Sequence, residues 1–467
     1  MTVHPGTHAM VFRPLVSACL LLSSSLTDCA KQVNRSNNMT VHRDSISIEM
    51  RDVLDTEFRR WYPLAMDTVY GGFFSDINAD WELDGGQDKF IVTQARHVWS
   101  TAHAAVSSPG ASALLRVAAH GMDFLKNTMW DREYGGFYNM VDRRGEPLKG
   151  DGQIIKQAYG NAFALYGLAA YYKATGDTSA LHLAQETFQW LERHSFDPVH
   201  GGYFQFMSRD GTPFTEGYKA PPKDQNSTIH LLESFTEFYK VWPDALLWKR
   251  LHALLHILRD TITAEKGYLV LFFARDWTPV SFRDAGAEVR ERNYEFDHVS
   301  FGHDVETAYL MLEASNALGL TDDTTTLRVA KKMVDHALAY GWDTERGGFF
   351  DGGYYAGGAD KPSIVRNTKE WWAQAEALNT LLLMSDLFPG DAHRYYETFC
   401  RQWDYCKKYV IDNERGGWYW GGADIVPGNR QSAKGSIWKC NYHTSRALIN
   451  CIERIKHVPI PAGTTTP

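Results

Sequence analysis

The chain has 467 residues, a formal net charge of −8 and an isoelectric point near 6.1. Its charges form no long run of one sign, which excludes the clustered Lys and Arg footprint of a nucleic-acid-binding protein. Aromatic residues make up 13% of the chain. That content fits a large helical core, and it also fits a sugar site in which flat rings stack on pyranose faces.

The first 38 residues have the order of a secretory leader. Arg13 precedes an apolar run, Pro14 to Leu26, and a polar stretch follows. The run is too short to span a membrane, and this order is typical of a signal peptide. Cys29 ends a segment similar to a bacterial lipoprotein cleavage box, so a lipid anchor is an alternative; translation from Met39 is another. A leader predicts a periplasmic or lipid-anchored protein, and its absence a cytoplasmic one.

A short motif recurs along the rest of the chain at intervals of 64 to 80 residues. An aspartate is followed by two glycines and then by aromatic residues. Glycine accepts positive φ and aromatic residues favour short strands, so each copy predicts a tight hairpin. The copies begin at Asp67, Asp131, Asp197, Asp343 and Asp412, with a degenerate copy at Lys266-Gly267-Tyr268-Leu269.

Each copy lies between two helix-like segments, of which the second is the more apolar. Apolar residues recur at i, i+3, i+4 and i+7, the pattern of a helix with one buried face. The first segments are Ile48–Ala65, Ala113–Met129, Ala180–His194, Leu246–Thr261, Leu327–Tyr340 and His393–Val410. The second segments are Phe90–Val106, Ile154–Thr175, Gln225–Val241, Phe301–Leu318, Lys369–Phe388 and Asn441–Ile455.

Six such pairs predict an all-α fold, an (α/α)6 barrel of twelve helices with short β-hairpins in the connecting loops. No single pair can bury its own apolar face, so the repeats must pack on one another. With the second segments inside the ring, residues 45 to 460 form one predicted catalytic domain.

Polar residues enter the predicted inner helices near their N-terminal ends. Inner helices of such a ring run parallel, so these ends open at one rim and predict one shared pocket. The set comprises Gln94, Arg96, His97, Trp99, Lys156, Tyr159, Asn161, Asn226, His230, Glu233, His303, Asp304, Glu306, Lys369, Glu370, Trp371, Trp372, Gln374, Glu376, Trp438, Tyr442, His443 and Arg446.

Several of these residues also have purely structural interpretations. His230 alone is typical of a satisfied core histidine, and Asp304 is placed to cap its helix. His303 and Glu306 are three residues apart and share a helical face. The carboxylate can therefore fix the tautomer of the imidazole, or the two can form a simple local pair.

No metal or other cofactor is predicted. His443 lies near Cys440, but no further residue accompanies it at zinc-ligand spacing. The cysteines after the leader have no paired spacing either, and their helical settings predict buried thiols. They are Cys400, Cys406, Cys440 and Cys451.

Two histidines that face each other across a pocket can remove a proton from one face of a carbon and return one to the other. The carbon must be acidified by a neighbouring carbonyl, and the resulting enediolate needs a cation, a role that Arg96 fits. C2 of a ring-opened reducing sugar is such a carbon. Return of the proton to C1 instead would give a ketose.

Five motifs carry a resemblance to a known family. They are Gln94-Ala95-Arg96-His97-Val98-Trp99, Asn226-x-x-x-His230, Gly302-His303-Asp304-x-Glu306, Lys369-Glu370-Trp371-Trp372-x-Gln374-x-Glu376 and Trp438-x-x-x-x-His443-x-Ser445-Arg446. In this order they resemble the N-acylglucosamine 2-epimerase superfamily, and most of all its cellobiose 2-epimerase branch. The resemblance covers nearly the whole chain after residue 45. It implies the same barrel, cofactor-independent epimerisation at C2 of a reducing-end glucose or mannose, and a β-1,4-linked disaccharide substrate.

The resemblance also implies roles for individual residues. His443 would be the acid/base group at C2, and His303, oriented by Glu306, would act in ring opening and from the opposite face. Arg96 would stabilise the cis-enediolate. Substrate contacts would come from Asn226, His230, Tyr159, Trp371, Trp372 and Trp438.

One departure from the branch follows Asn226. The branch usually shows His-x-His there, whereas this chain has Thr228-Ile229-His230, which leaves the substrate preference open. An aldose–ketose isomerase and an N-acylglucosamine 2-epimerase are alternatives on the same scaffold. A glycoside hydrolase is disfavoured because it needs two carboxylates flanking the bond. A sugar-binding protein without activity would not need opposed histidines.

Overall fold

The computed structural model describes residues 41–107 and 112–457. Internal contacts divide the chain into residues 1–50 and residues 51–467. Within the first unit, residues 41–50 are helical; the predicted leader and Cys29 lie outside the described residues. In the second unit, residues 51–107 and 112–457 are described.

Twelve long helices in the described part of the chain form two sets that alternate in sequence. The outer set is α1 (residues 51–61 of this unit), α3 (Ser112–Phe124), α5 (Thr178–His194), α7 (Ala245–Ile257), α11 (Thr324–Tyr340) and α13 (Tyr395–Tyr405). The inner set is α2 (Ile91–Ser107), α4 (Ala158–Thr175), α6 (Gln225–Val241), α10 (Phe301–Ala317), α12 (Trp371–Leu387) and α14 (Tyr442–His457). Two short helices, α8 (Ala287–Arg292) and α9 (Tyr294–Asp297), lie in the loop before α10.

The inner helices close into a ring. Each packs against the next in the order α2, α4, α6, α10, α12, α14, and α14 returns to α2. Outer helices pack on the outside of this ring, as α3 does on α2 and α4. The predicted (α/α)6 barrel is therefore confirmed. Within the described residues, every helix is too short or too polar to cross a lipid bilayer.

The glycine motifs are tight loops that join an outer helix to the next inner helix. In the second copy, Trp130 and Phe137 form an antiparallel bridge, and Asp131 accepts hydrogen bonds from the amides of Glu133 and Tyr134. Gly136 has φ of 70°, and a Cβ there would lie 2.6 Å from the Trp190 ring. Only glycine fits this position, as the predicted hairpin requires.

Short antiparallel strands connect successive repeats next to the N-terminal ends of the inner helices. The pairs are β1 (Lys89–Phe90) with β2 (Met140–Val141), β3 (Ile155–Gln157) with β4 (Phe206–Ser208), and β5 (Lys223–Asp224) with β6 (Phe272–Phe273). A three-stranded sheet joins β7 (Val299–Ser300), β8 (Gly352–Tyr354) and β9 (Ser363–Arg366). The second inner helix consequently begins at Ala158 rather than at the predicted Ile154, because residues 155–157 belong to β3.

A buried ion pair holds most of the glycine loops. Lys156 Nζ lies 2.9 Å from Asp131 Oδ2, and both side chains are fully buried. The same contact joins Lys89 to Asp67, Lys223 to Asp197, Lys369 to Asp343 and Lys434 to Asp412. Lys156 and Lys369, which the sequence placed at the shared pocket, therefore anchor loops instead.

Candidate active site

A cavity of about 300 Å³ opens where the N-terminal ends of the inner helices meet. All ten residues predicted to act on or bind the substrate line it. Two others, Glu370 and Trp420, complete the wall. The lining is Arg96, Tyr159, Asn226, His230, His303, Glu306, Glu370, Trp371, Trp372, Trp420, Trp438 and His443.

Other polar residues at these helix ends serve the glycine loops. Gln94 accepts a hydrogen bond from the amide of Phe73, and Asn161 and Gln374 do the same for later copies of the motif. Asp304 is their counterpart and accepts from the amide of Leu269, so it does not cap its own helix as the sequence allowed. All four occupy the fourth position of an inner helix.

His443 is held by a buried carboxylate. Its Nδ1 lies 2.6 Å from Glu376 Oε1. Glu376 also accepts hydrogen bonds from Arg446 and from the hydroxyl of Tyr309. Burial raises the pKa of Glu376 to about 8 against the charge of Arg446, but donors on both of its oxygens hold the carboxylate ionised in this arrangement. Nδ1 then donates, which leaves Nε2 as the basic nitrogen. Burial, and next the charge of Arg96, hold the pKa of His443 well below its usual value, so the ring is neutral near pH 7.

His303 is held by a hydroxyl rather than by Glu306. The Oγ of Ser300 lies 2.7 Å from His303 Nδ1, and no hydrogen bond joins His303 to Glu306 among the described residues. The sequence-based pairing of those two was therefore wrong. Burial lowers the pKa of His303 to about 3, so this imidazole is also neutral. Its ring centroid lies 4.7 Å from that of Trp372, which is 5.8 Å from that of His443.

Arg446 connects the carboxylates beneath the cavity. Its guanidinium is fully buried and contacts Glu233, Glu306 and Glu376. Glu233 Oε2 in turn lies 2.8 Å from His230 Nδ1. One cation thus links the partners of two cavity histidines and fixes the position of both.

Glu306, Glu376 and His443 lie close enough together to suggest a metal site. Arg446 already binds both of these carboxylates, and His443 binds Glu376. A metal ion would have to displace the buried guanidinium of Arg446 from both carboxylates. The three side chains therefore fit the cation of Arg446 better than a metal ion.

Arg96 lies with its guanidinium against aromatic faces. Its carbon Cζ is 4.4 Å from the Phe163 ring centroid and 4.9 Å from that of Tyr442, and Nη2 donates to the hydroxyl of Tyr159 over 3.2 Å. Nε is buried without a hydrogen-bond partner among the described residues. A fixed positive charge with an unused donor beside the cavity can stabilise a developing oxyanion.

Four tryptophans form the outer part of the cavity. Trp372 donates from Nε1 to Glu370 Oε2 over 2.8 Å. The ring of Trp371 lies against that of Trp420, with centroids 4.7 Å apart and planes tilted by 55°, and the Trp371 amide donates to the Trp420 carbonyl. Trp438 is 50% exposed at the rim. Sequence reasoning missed Trp420 as a site residue, although it directly follows the last glycine motif.

Thr228, where this chain departs from the His-x-His pattern, does not line the cavity. Thr228 takes the fourth position of α6, and its hydroxyl donates to the Asp224 carbonyl over 2.7 Å. His230, two residues on, lines the cavity. The substitution therefore gives no reason for a different substrate preference.

Fold and site together define an enzyme of the carbohydrate epimerase and isomerase class. A family model described as N-acylglucosamine 2-epimerase (GlcNAc 2-epimerase) matches residues 72–447. The chain belongs to this family.

Individual relatives agree with this assignment. A cellobiose 2-epimerase of Ruminococcus albus is 31% identical over 420 residues, which cover 87% of this chain and 98% of the relative. A D-mannose isomerase of Thermobifida fusca is 27% identical over 370 residues, covering 78% and 85%. The structure of cellobiose 2-epimerase from Spirochaeta thermophila superimposes with a TM-score of 0.74 at 30% identity, covering 89% of this chain and 98% of that one.

Proposed function

We propose that this protein interconverts glucose and mannose at the reducing end of a β-1,4-linked disaccharide of the cellobiose type. The reaction is a proton abstraction at C2 through a cis-enediolate. The observation that carries the proposal is a pair of neutral imidazoles, the half-buried His303 and the buried His443, in a cavity that also holds Arg96 with an unpartnered Nε.

The proton balance follows from this arrangement. His443 takes the C2 proton at Nε2, and the electron pair of the C–H bond forms the C1=C2 bond while the carbonyl oxygen becomes anionic. His303, which also serves in ring opening, delivers a proton to the opposite face of C2. The negative enediolate raises the pKa of the His303 imidazole, against the effect of burial, so His303 takes a proton from water before it delivers one to C2. His443 then releases the proton taken from C2 to water, and both rings are neutral again.

Other residues of the cavity bind the sugar. Arg96 stabilises the enediolate oxygen. The buried and unpartnered Glu306 Oε2 is an acceptor for a substrate hydroxyl, as are Asn226 and His230. Trp372 and Trp438 offer flat faces to the two sugar rings. The two tryptophan positions, one beside the histidines and one at the rim, favour a disaccharide over a monosaccharide.

A second candidate is an aldose–ketose isomerase, which the D-mannose isomerase relative favours. The same histidines would act, with the proton returned to C1. The two functions differ in product, so one assay separates them.

The test is product analysis in heavy water with cellobiose, mannobiose, N-acetylglucosamine and mannose as separate substrates. We expect cellobiose to give 4-O-glucosyl-mannose with deuterium at C2, because the returned proton comes from an exchangeable imidazole. A ketose product would establish the isomerase instead. An epimer without deuterium at C2 would contradict proton transfer through exchangeable groups.

A further inference from the structure

A second groove lies at the same end of the barrel as the active cavity. It has a volume of about 230 Å³ and is formed by two loops, one before β3 and one before β5. The residues that carry the argument are Asn139, Met140, Lys149, Gln157, Phe206 and Tyr218.

The groove and the cavity are neighbours. Gln157 is the last residue of β3 and lies two positions before Tyr159 of the cavity. Met140 pairs with Phe90 across β1 and β2, and the Phe90 ring centroid lies 4.8 Å from that of Trp438. One pair of strands, which are about 5 Å apart in any sheet, therefore separates the groove from the rim of the cavity.

The order of helices in the ring indicates the direction in which a bound sugar chain extends from the cavity. His303 lies on α10 and His443 on α14, whereas the groove lies above the junction of α2 and α4. That junction is opposite α10 and α12 in the ring. A linear sugar whose reducing end meets the histidines and whose next unit meets Trp438 extends its third unit towards the groove.

The groove has the chemistry of a sugar site. Tyr218 presents a half-buried ring that is fixed by stacking on Phe214, with centroids 5.0 Å apart. Gln157 and Lys149 supply hydrogen-bond donors. Asn139 Oδ1 is buried without a partner among the described residues, and such an acceptor gains free energy from a hydroxyl donor. A flat apolar ring beside a few polar groups is how ligand pockets recognise sugars and similar molecules.

The two loops are already joined across the groove. Tyr218 donates from its hydroxyl to Asp151 Oδ2 over 2.6 Å, and Lys219 Nζ lies 3.0 Å from the same oxygen. The ring of Tyr218 is thus held before a ligand arrives, which reduces the entropic cost of binding.

We propose that this groove is a subsite for the third sugar unit of a β-1,4-linked oligosaccharide, so that the protein acts on cellotriose better than on cellobiose. The proposal rests on the proposed function, because the reducing end must first occupy the active cavity.

The test measures KM and kcat for cellobiose, cellotriose and cellotetraose with the full chain. We expect KM to fall about fivefold from cellobiose to cellotriose, the equivalent of one well-packed contact residue, and to change little for cellotetraose. Tyr218→Ala should remove the difference while leaving the kinetics of cellobiose unchanged. Tyr218→Phe, which keeps the ring, should keep most of the difference.

Tyr134→Ala is the matched control, since Tyr134 is an exposed tyrosine outside both sites, and it should leave all three substrates unaffected. Equal KM values for cellobiose and cellotriose in the unmodified protein would overturn the subsite alone. So would a Tyr218→Ala variant that affects both substrates equally. Failure to turn over any of the three sugars would overturn the proposed function, and the subsite with it.

Discussion

At the scale of single residues, the histidines differ in what holds them. His443 is tied to the carboxylate of Glu376, which Arg446 and Tyr309 also bind, whereas His303 is tied to the hydroxyl of Ser300. A carboxylate stabilises the imidazolium that forms when its partner accepts a proton. His443 is therefore better suited to remove a proton from carbon, and His303 to deliver one.

Replacement of His443 tests this assignment. We expect His443→Ala to lower kcat for epimerisation by about 10³-fold, within the range for loss of a general base, and to abolish deuterium uptake at C2. His182, an exposed histidine on α5, provides the control: His182→Ala should keep full activity. Circular dichroism must show that the His443 variant is folded, and a folded variant with near-native kcat would refute the role.

At the scale of structural elements, one repeat lacks the buried ion pair that supports the glycine loops. This is the degenerate copy at Lys266-Gly267-Tyr268-Leu269, the fourth along the chain. There Ala264 takes the place of the aspartate, and Val299 takes the place of the lysine. The loop is closed by the backbone hydrogen bonds Ala264 N to Tyr268 O and Gly267 N to Ala264 O, as in the other copies. Aspartate and lysine are absent together, which agrees with the high cost of burying one charge without its partner.

This natural replacement can be reproduced in the second repeat. Lys156→Val alone should lower the free energy of unfolding by about 3 kcal/mol, the low end for a broken buried pair, because Asp131 keeps a buried charge whose remaining cationic partner is the partly exposed Arg209. Lys156→Val combined with Asp131→Ala should recover much of that loss, since no unpaired charge remains buried. Urea denaturation of the single and double variants measures both values. A double variant less stable than Lys156→Val would contradict the explanation.

At the scale of the whole molecule, buried titratable groups act on stability with opposite signs. Burial lowers the pKa of His97 and His303 to about 3 and that of His336 to about 4, all from 6.5. These histidines stabilise the fold above pH 6.5, and that contribution is lost as the pH falls towards their folded values. Burial raises the pKa of Glu57 from 4.5 to about 7, and its contribution is instead lost as the pH rises from 4.5 to 7.

The two effects oppose each other between pH 4.5 and 6.5 and no longer do so at lower pH. Below pH 4.5 the gain from Glu57 is complete, while the histidines continue to lose their contribution. Asp131 adds to this loss. Burial raises its pKa, but hydrogen bonds from Arg209 and Lys156 outweigh burial and lower the pKa to about 2. We therefore expect the midpoint of thermal unfolding to fall gradually from pH 6.5 to 4.5, because three histidines outweigh one glutamate, and to fall more steeply below that.

Glu57→Gln provides the matched variant for this pH series. It removes an opposing contribution, so its midpoint should begin to fall at a higher pH than that of the unmodified protein. A midpoint that stays constant down to pH 3, or identical curves for the two proteins, would show that these groups do not control acid stability.

Much of the fold was predictable because its signals are local. The 3.6-residue periodicity and the glycine motifs gave the number of helices and the closed ring, and the predicted Gln225–Val241 agrees with the bounds of α6. Errors lie at helix ends. Three outer helices, α3, α7 and α13, finish in a π-helical turn, as at Leu125–Met129. Short strands directly precede four inner helices, α2, α4, α6 and α10. No periodicity within the segments indicates these features.

The sequence by itself predicted the barrel, the rim that carries the site and ten of the twelve residues that line the cavity. The spacing of polar residues along the helices placed them at one rim, and the resemblance to the epimerase family selected these ten among them. Only the tertiary structure decided their partners. Gln94 and Lys156 turn away to the glycine loops, Ser300 replaces Glu306 beside His303, and Arg446 joins carboxylates from three other helices. Apart from the local contact of Ser300 with His303, these contacts join residues 21 or more positions apart. They therefore depend on how the helices pack around the ring rather than on any local pattern.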